Sequence, residues 1–377
     1  MPGFEIINYK EKKAINDIFD KNGGVLFAHG YEKLRKKFHV REFEKNISRK
    51  FKIKNSLVVS SGTAAIKIAL KSLGIKSGDE VITQSFNFIA TIEAIIDTGA
   101  KPIICGIDKN LNMDINDLQK KISKKTKAII PVHMLGQSVE IDKIVSIAKK
   151  NKLFVVEDNC ESVGGKFRDK HLGTFGHLGI LSFDFGKTIT TGEGGAILTN
   201  NSKLFKICKE YHDHGHKNSK NLTRGNDIRS RVGFNYRMTE LQAAIGKVQL
   251  KKLNFILKNN KKRYFELFKN LSKKFFIRKD IKHSRGINDT FIFLVEKKNT
   301  REKIIKILKK YKIGTKNLPD AIKWHCSYYW NHAMEKKQIK NSKTSKEILN
   351  KYISIPIFIN KPLKTYRNLS EEISNIN

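Results

Sequence analysis

The stretch from Leu153 to Asn200 reads LFVVEDNCESVGGKFRDKHLGTFGHLGILSFDFGKTITTGEGGAILTN. Leu153 to Val156 is short, apolar and β-branched, the composition of a strand buried on both faces of a parallel sheet. It runs into Glu157-Asp158, which puts an acid at the carboxyl end of a strand, where open α/β sheets bind their ligands. Gly179 to Phe183 reads as a second buried strand. Lys187 follows it on a loop, ahead of a cluster formed by Gly192, Gly194 and Gly195. Two nucleotide-binding patterns fail here. A P-loop ending in Gly186-Lys187-Thr188 needs glycine at position 181, which is Leu181. Ile197 stands where G-x-G-x-x-G needs its last glycine.

An acid and a lysine at strand ends suit pyridoxal 5′-phosphate. The lysine forms a Schiff base with the aldehyde, and the carboxylate keeps the pyridine nitrogen protonated so that the ring takes up electrons. Alone, the pair has plainer readings as a helix cap and a solvated charge. The wider string is more specific. Asp158, Cys160-Glu161, Ser182-Phe183, Lys187 and Thr191-Gly192-Glu193-Gly194-Gly195 closely resemble the signature of the DegT/StrS family of sugar aminotransferases.

The resemblance implies an α/β chain of fold-type I: a three-layer, mostly parallel sheet domain with a smaller C-terminal α/β domain. The division expected is 1–250 for the cofactor domain with its N-terminal arm and 251–377 for the small domain. By the same resemblance Lys187 carries the Schiff base and acts as general base, and Asp158 pairs with the ring nitrogen. Three positions depart from the family pattern. Glu161 stands where Gln is common, Asp184 where His is frequent, and Gly186 where a hydroxyl residue is frequent. Glu161 therefore occupies the position of the contact usually made near the cofactor's phenolic oxygen, as a cofactor-binding candidate.

Other segments extend the resemblance along the chain. Glu11 to Phe19 and Val40 to Phe51 have helical spacing. Leu57 to Ile66, LVVSSGTAAI, is an apolar strand turning through Ser61-Gly62-Thr63 into a helix. Such a turn offers free N–H groups and a helix dipole to an anion, and it matches the family's phosphate-binding turn, where Ser182 also belongs. Ser85 to Thr91 contains Phe88, at the position of the aromatic ring that stacks on the pyridine. Val132-His133 begins a string similar to the family's V-H-x-x-G-Q, which makes His133 a candidate to line the site. Gly233 to Ala244, GFNYRMTELQAA, matches a further motif. There the resemblance implies that Asn235 reaches the phosphate of a neighbouring subunit, hence a homodimer with shared active sites. Ile245 to about Phe275 reads as a long basic helix, Thr290 to Val295 as a strand and Arg301 to Tyr311 as a helix. Lys316 to Trp330, KNLPDAIKWHCSYYW, is aromatic and suits a cleft between domains.

Composition bounds the partners. The 377 residues are 39% hydrophobic, enough for a sizeable core. Lysine and arginine number 74 against 36 acids, a net charge of +38. The basic residues are spread throughout, with no basic tail and no nucleic-acid motif. Attraction for anionic substrates is expected, and nucleic acid is not. The 4 cysteines form no C-x-x-C pair, which suits a reducing cytoplasm. The opening MPGFEIINYKEKKAI lacks the apolar core of a signal peptide, and runs such as Ile353 to Ile359 fall far below the ~20 residues of a membrane span. The alternate histidines 212, 214 and 216 have no accompanying ligand set, so no metal is expected.

The substrates implied are an amino donor, glutamate, and a keto- or aldehydo-sugar. The opening Met1 to Glu5, Ser182-Phe183-Asp184, Lys187 to Thr190 and His212 to His216 resemble a smaller branch of the family. That branch converts 8-oxo-3-deoxy-octulosonate to 8-amino-3,8-dideoxy-octulosonate for lipopolysaccharide. Such an acid needs a cationic anchor, and Arg229 and Arg231 are the candidates, since arginine binds carboxylates in a bidentate way. A nucleotide-linked keto-deoxy sugar is the alternative substrate. A sugar dehydratase on the same fold is a further one, but those relatives carry histidine in place of the lysine.

Overall fold

The computed structural model describes residues 3–219, 221–340 and 342–376. Its centre is a seven-stranded sheet. From one edge to the other the strands are Asn55–Val59, Gly195–Thr199, Leu178–Ser182, Phe154–Asp158, Thr126–Ile130, Glu80–Gln84 and Lys101–Cys105. Gly195–Thr199 runs antiparallel to both neighbours, and the other strand pairs are parallel. Lys101–Cys105 carries Pro102, which a ladder tolerates at an edge.

Side chains alternate across these strands, so each face has its own core. Leu57, Val59, Ile180 and Ile197 point to the face covered by the helix Gly62–Ser72, through Ile66 and Leu70. Val58, Leu181, Ala196 and Leu198 point to the other face, where Phe43 and Ile47 of the helix His39–Phe51 meet Leu250 and Leu253. Two covered faces make three layers, which is why the strands read as unbroken apolar runs.

The helix Glu240–Leu271 joins the two halves of the chain. It starts in a capping box, with Thr239 Oγ1 accepting the Gln242 N–H and Gln242 Oε1 accepting the Thr239 N–H. The helix runs unbroken past residue 250, the boundary expected from the sequence. Beyond it Leu267 and Leu271 pack into a second core with Phe291, Phe293, Ile353, Ile355 and Tyr366. The antiparallel pair Thr290–Leu294 and Tyr352–Pro356 forms its sheet. No helix among the described residues is long and apolar enough to cross a membrane.

Gly246 marks the tightest point of the long helix. A Cβ there would lie 2.5 Å from the Phe43 ring and 2.9 Å from Thr191 Cγ2. Alanine gains about 1 kcal/mol in helix propensity, but overpacking a fitted core costs about 1–3 kcal/mol. Gly246→Ala is therefore expected to lower the urea midpoint at unchanged m-value. An equal or higher midpoint would mean that Phe43 moves aside at no cost.

Candidate active site

Glu157 and Asp158 end the central strand and point to opposite faces because strand side chains alternate. Glu157 is fully buried. Its carboxylate accepts the N–H groups of Gly173 at 2.9 Å and Gly176 at 2.5 Å, and that of Phe175. Asp158 faces the other way. Its Oδ2 accepts the Thr91 hydroxyl at 3.0 Å and its Oδ1 accepts the Cys160 N–H at 3.1 Å. Thr91 lies in the first turn of the helix Ile89–Asp97, whose N-cap is Phe88. The Thr91 hydroxyl thus ties the acid to the segment bearing Phe88, a link for which the sequence carries no signal.

Lys187 follows the neighbouring strand Leu178–Ser182. Its side chain is 17% exposed, and Nζ lies 3.4 Å from Glu161 Oε1. Burial alone would lower this amine, but the charges of Glu161, Asp184 and Asp158 reverse the effect, and the lysine is held above its ordinary value. Ser182 ends the same strand beside Gly62. A Cβ on Gly62 would meet Ser182 Oγ at 3.1 Å and Cys160 Sγ at 3.4 Å. Ser61 caps the helix Gly62–Ser72, its hydroxyl accepting the Ala64 N–H. The N–H groups of Gly62 and Thr63 have no acceptor within the helix, as at any helix start. The Ser182 hydroxyl, a glycine at the turn and two open donors make an anion cup.

The segment 316–330 closes the cleft from the other half of the chain. Its backbone is stitched to the segment after the strand Glu80–Gln84: Asn87 N–H donates to His325 O at 3.0 Å and Ser327 N–H to Ser85 O at 2.9 Å. Trp324 stacks on Phe88 with ring centroids 6.1 Å apart and planes 10° apart, and His325 tilts against the same ring at 5.5 Å. Phe88 is still 40% exposed and Trp324 61%. Lys316 is buried and paired with Asp289 at 2.9 Å. The aromatic composition pointed to this segment, but not to Trp324, His325 and Lys316 individually.

Four expected residues sit apart from this cluster. His133, expected along the site, is in the core instead. It is fully buried, its Nε2 3.2 Å from Glu157 Oε2 and its Nδ1 accepting the Val139 N–H. Both ring nitrogens serve the fold. Asn235, Arg229 and Arg231 lie on the loop after residue 211 and are exposed. That loop is pinned by Asp213, buried among Arg224 at 2.5 Å, Arg237 at 2.6 Å and His29 at 3.4 Å. Burial would raise Asp213, but the Arg224 guanidinium outweighs it and holds the carboxyl far below the ordinary carboxylate range. Tyr236 O accepts the Ser60 N–H at 2.8 Å, so the loop reaches the edge strand just ahead of the anion cup. Asn235 itself makes no hydrogen bond to the cup within the described residues. Arg231 is held by Glu210 at 2.6 Å, whereas the Arg229 guanidinium has no partner among the described residues. His216 binds Asp227 and His212 binds Lys209 O. No group of three or more histidine, cysteine or acidic side chains among the described residues is placed to hold a metal.

The sequence pattern of the DegT/DnrJ/EryC1/StrS aminotransferase family matches residues 28–372. The chain is 38% identical over 242 residues to the GDP-perosamine synthase of Escherichia coli O157:H7, covering 64% of this chain and 63% of that protein. It is 33% identical over 274 residues to the GDP-4-keto-6-deoxy-D-mannose 3-dehydratase of Yersinia pseudotuberculosis, covering 67% of each. Its fold superimposes on the X-ray structure of an aminotransferase from Psychrobacter cryohalolentis with a TM-score of 0.86, 23% identity and 97% of each chain covered. That likeness bears out the mostly parallel α/β aminotransferase fold expected from the sequence. The chain belongs to the DegT/DnrJ/EryC1/StrS aminotransferase family, whose cofactor is pyridoxal 5′-phosphate.

Proposed function

We propose that the chain is an aminotransferase that moves an amino group from glutamate to a sugar carbonyl. The observation that carries this is the cluster around Cys160-Glu161: Asp158 on the Cys160 N–H, Gly62 and Ser182 of the anion cup beside its thiol, and Lys187 on Glu161. The residues fit the cofactor. Gly62 lets the helix start lie close to Ser182, and a helix N-terminus favours a phosphate. Asp158 would hold the proton of the ring nitrogen, and Phe88 would lie against the ring. Pyridoxal phosphate, when bound, supplies an aldehyde and an electron-withdrawing ring.

The chain's own groups do the rest. Thr91 and the Cys160 N–H occupy one lone-pair direction on each oxygen of Asp158, which orients the carboxylate. The Lys187 amine moves the proton from the Cα of the donor, acting as general base. Trp324 and His325 pack against Phe88 and hold that ring in place. Lys187 also favours transfer over dehydration, because the sugar dehydratases that this family resembles carry histidine there.

For the sugar we propose the 8-oxo acid and formation of 8-amino-3,8-dideoxy-octulosonate, in the making of a cell-surface polysaccharide. The unpartnered guanidinium of Arg229 supports an anionic substrate. Arg231 is bound to Glu210 and is the weaker anchor. A nucleotide-linked keto-deoxy sugar is the second reading, favoured by the 38% identity to a GDP-perosamine synthase. The exposure of Asn235 suits a contact across a homodimer, with each site completed by the neighbouring chain.

Lys187→Ala is expected to lose at least about a hundredfold in transamination, the scale of a general base, and to leave no cofactor fixed by borohydride. Cofactor still fixed in that variant would assign the lysine elsewhere. In Asp158→Asn the ring nitrogen loses an opposite charge that shifts a pKa by about 1–3 units, so turnover should fall by about ten- to a thousandfold in a folded protein. Activity near that of the parent would dismiss the pairing. Mixing Lys187→Ala with Asn235→Asp chains should restore about a quarter of the activity, since random mixing makes half the dimers hybrids with one intact site. Hybrids that form yet stay inactive would place Asn235 in its own chain's site. With glutamate as donor, the 8-oxo acid should be aminated and nucleotide-linked 4-keto sugars should not. The reverse pattern selects the second reading.

A further inference from the structure

Glu161 departs from the family pattern, and its surroundings give the carboxylate a task. It is almost wholly buried, 8% exposed. Burial alone would push its carboxyl up, but Lys187, Lys316, His325 and the Leu135 N–H reverse the direction and hold it at about 2. Its two oxygens are divided. Oε1 faces Lys187 Nζ at 3.4 Å, and Oε2 accepts the Leu135 N–H at 3.2 Å.

Leu135 is itself unusual. It sits in the left-handed region with φ 52° and ψ 43°, followed by Gly136 at φ 85°. A branched residue in that conformation persists only where its surroundings over-determine it. Here they come from a distant part of the chain. Arg278 is buried, with Nη1 donating to Met134 O at 2.9 Å, Nη2 to Asn112 Oδ1 at 3.0 Å and Nε to Asn110 O at 2.6 Å. Ile287 N–H donates to Gly136 O at 2.9 Å. A Cβ on Gly136 would lie 2.8 Å from Asp289 Oδ1, the acid whose other oxygen binds Lys316.

We propose that Glu161 is the positioning residue for Lys187, holding the amine with one oxygen and the N–H of a strained turn with the other, and that Arg278 and Ile287 brace that turn. The assignment rests on the role given to Lys187 above and adds the part that aims it. Lys187 must meet a carbonyl as a neutral amine, so the Glu161 charge holds back that encounter while it fixes the direction of approach. The other groups around the amine are Asp158, Asp184 and Cys160, whose thiol burial keeps neutral. Lys316 and His325 also act on Glu161.

The test reads Lys187 directly in the full chain freed of cofactor. Trace acetylation by acetic anhydride is followed against pH by mass spectrometry, with the other lysines as internal reference. Glu161→Gln keeps the size and the acceptor for the Leu135 N–H but removes the charge. Lys187 is then expected to titrate lower by at least about half a pH unit, about threefold more labelling at a fixed pH below the midpoint. Arg278→Lys, which loses part of the brace, should shift the profile in the same direction by less. A Glu161→Gln profile that superimposes on the parent's overturns the assignment, and an unchanged Arg278→Lys beside a shifted Glu161→Gln overturns the brace. If Glu161→Gln does not fold, Glu161→Asp draws the charge back and should move Lys187 the same way, with an unchanged profile again overturning the assignment. The labelling needs no cofactor. A shifted Lys187 in a protein that transfers no amino group keeps this inference and removes the proposed function. An unshifted Lys187 in an active aminotransferase does the opposite.

Discussion

The site depends on a buried carboxylate that takes no part in the proposed chemistry. Glu157 has no exposure, and a carboxyl group buried there is tolerable only if its lone pairs are filled. Gly173, Phe175 and Gly176 fill them with N–H groups, and His133 adds a ring nitrogen. These bonds fix the end of the central strand. Asp158, one residue on, must then face the cleft, because strand side chains alternate. Its own carbonyl accepts the His133 N–H at 3.0 Å, which launches the turn carrying Leu135 and Gly136. The acid, the turn and Glu161 are therefore set by one anchored strand end.

The remaining parts of the cleft come from elements that meet only by packing. The strand Leu178–Ser182 lies beside the central strand and delivers Ser182 and then Lys187. The helix Gly62–Ser72 starts against that same serine. Segment 316–330 arrives from the far half and exchanges backbone hydrogen bonds with residues 85–87. Its Lys316 adds to the positive charge that acts on Glu161. The charge of +38 is spread over the surface, but inside the cleft charge is arranged in opposed pairs. The excess outside draws anions nonspecifically, while the pairs inside set which groups they meet.

Much of this was legible in the residues. Apolar runs covered on both faces announced a mostly parallel sheet, and the strand ends at Asp158, Ser182 and Val59 fell within a residue or two of expectation. Helix ends drifted more: the long helix begins at Glu240 and not Ile245, because its capping box lies ahead of its apolar stripe. His133 was misplaced for a physical reason. A histidine after a strand looks the same in sequence whether its ring turns to the cleft or to the core, and the Glu157 beneath it decides. Glu161 was legible as a departure, but its task was not, since Leu135 and Arg278 lie 26 residues and more away.

The sequence by itself determined which side chains the proposed chemistry uses: a lysine and an acid at the ends of buried strands, and a capped helix start beside them. Local pattern suffices there, because strand burial, alternation and capping act over a few residues. Tertiary structure alone decided what surrounds them. It set the stack of Trp324 on Phe88, the pairing of Lys316 with Asp289, and the strained Leu135 that feeds Glu161. Those contacts join segments far apart in the chain, where no periodicity links one residue to the other and only the packing of the two cores brings them together.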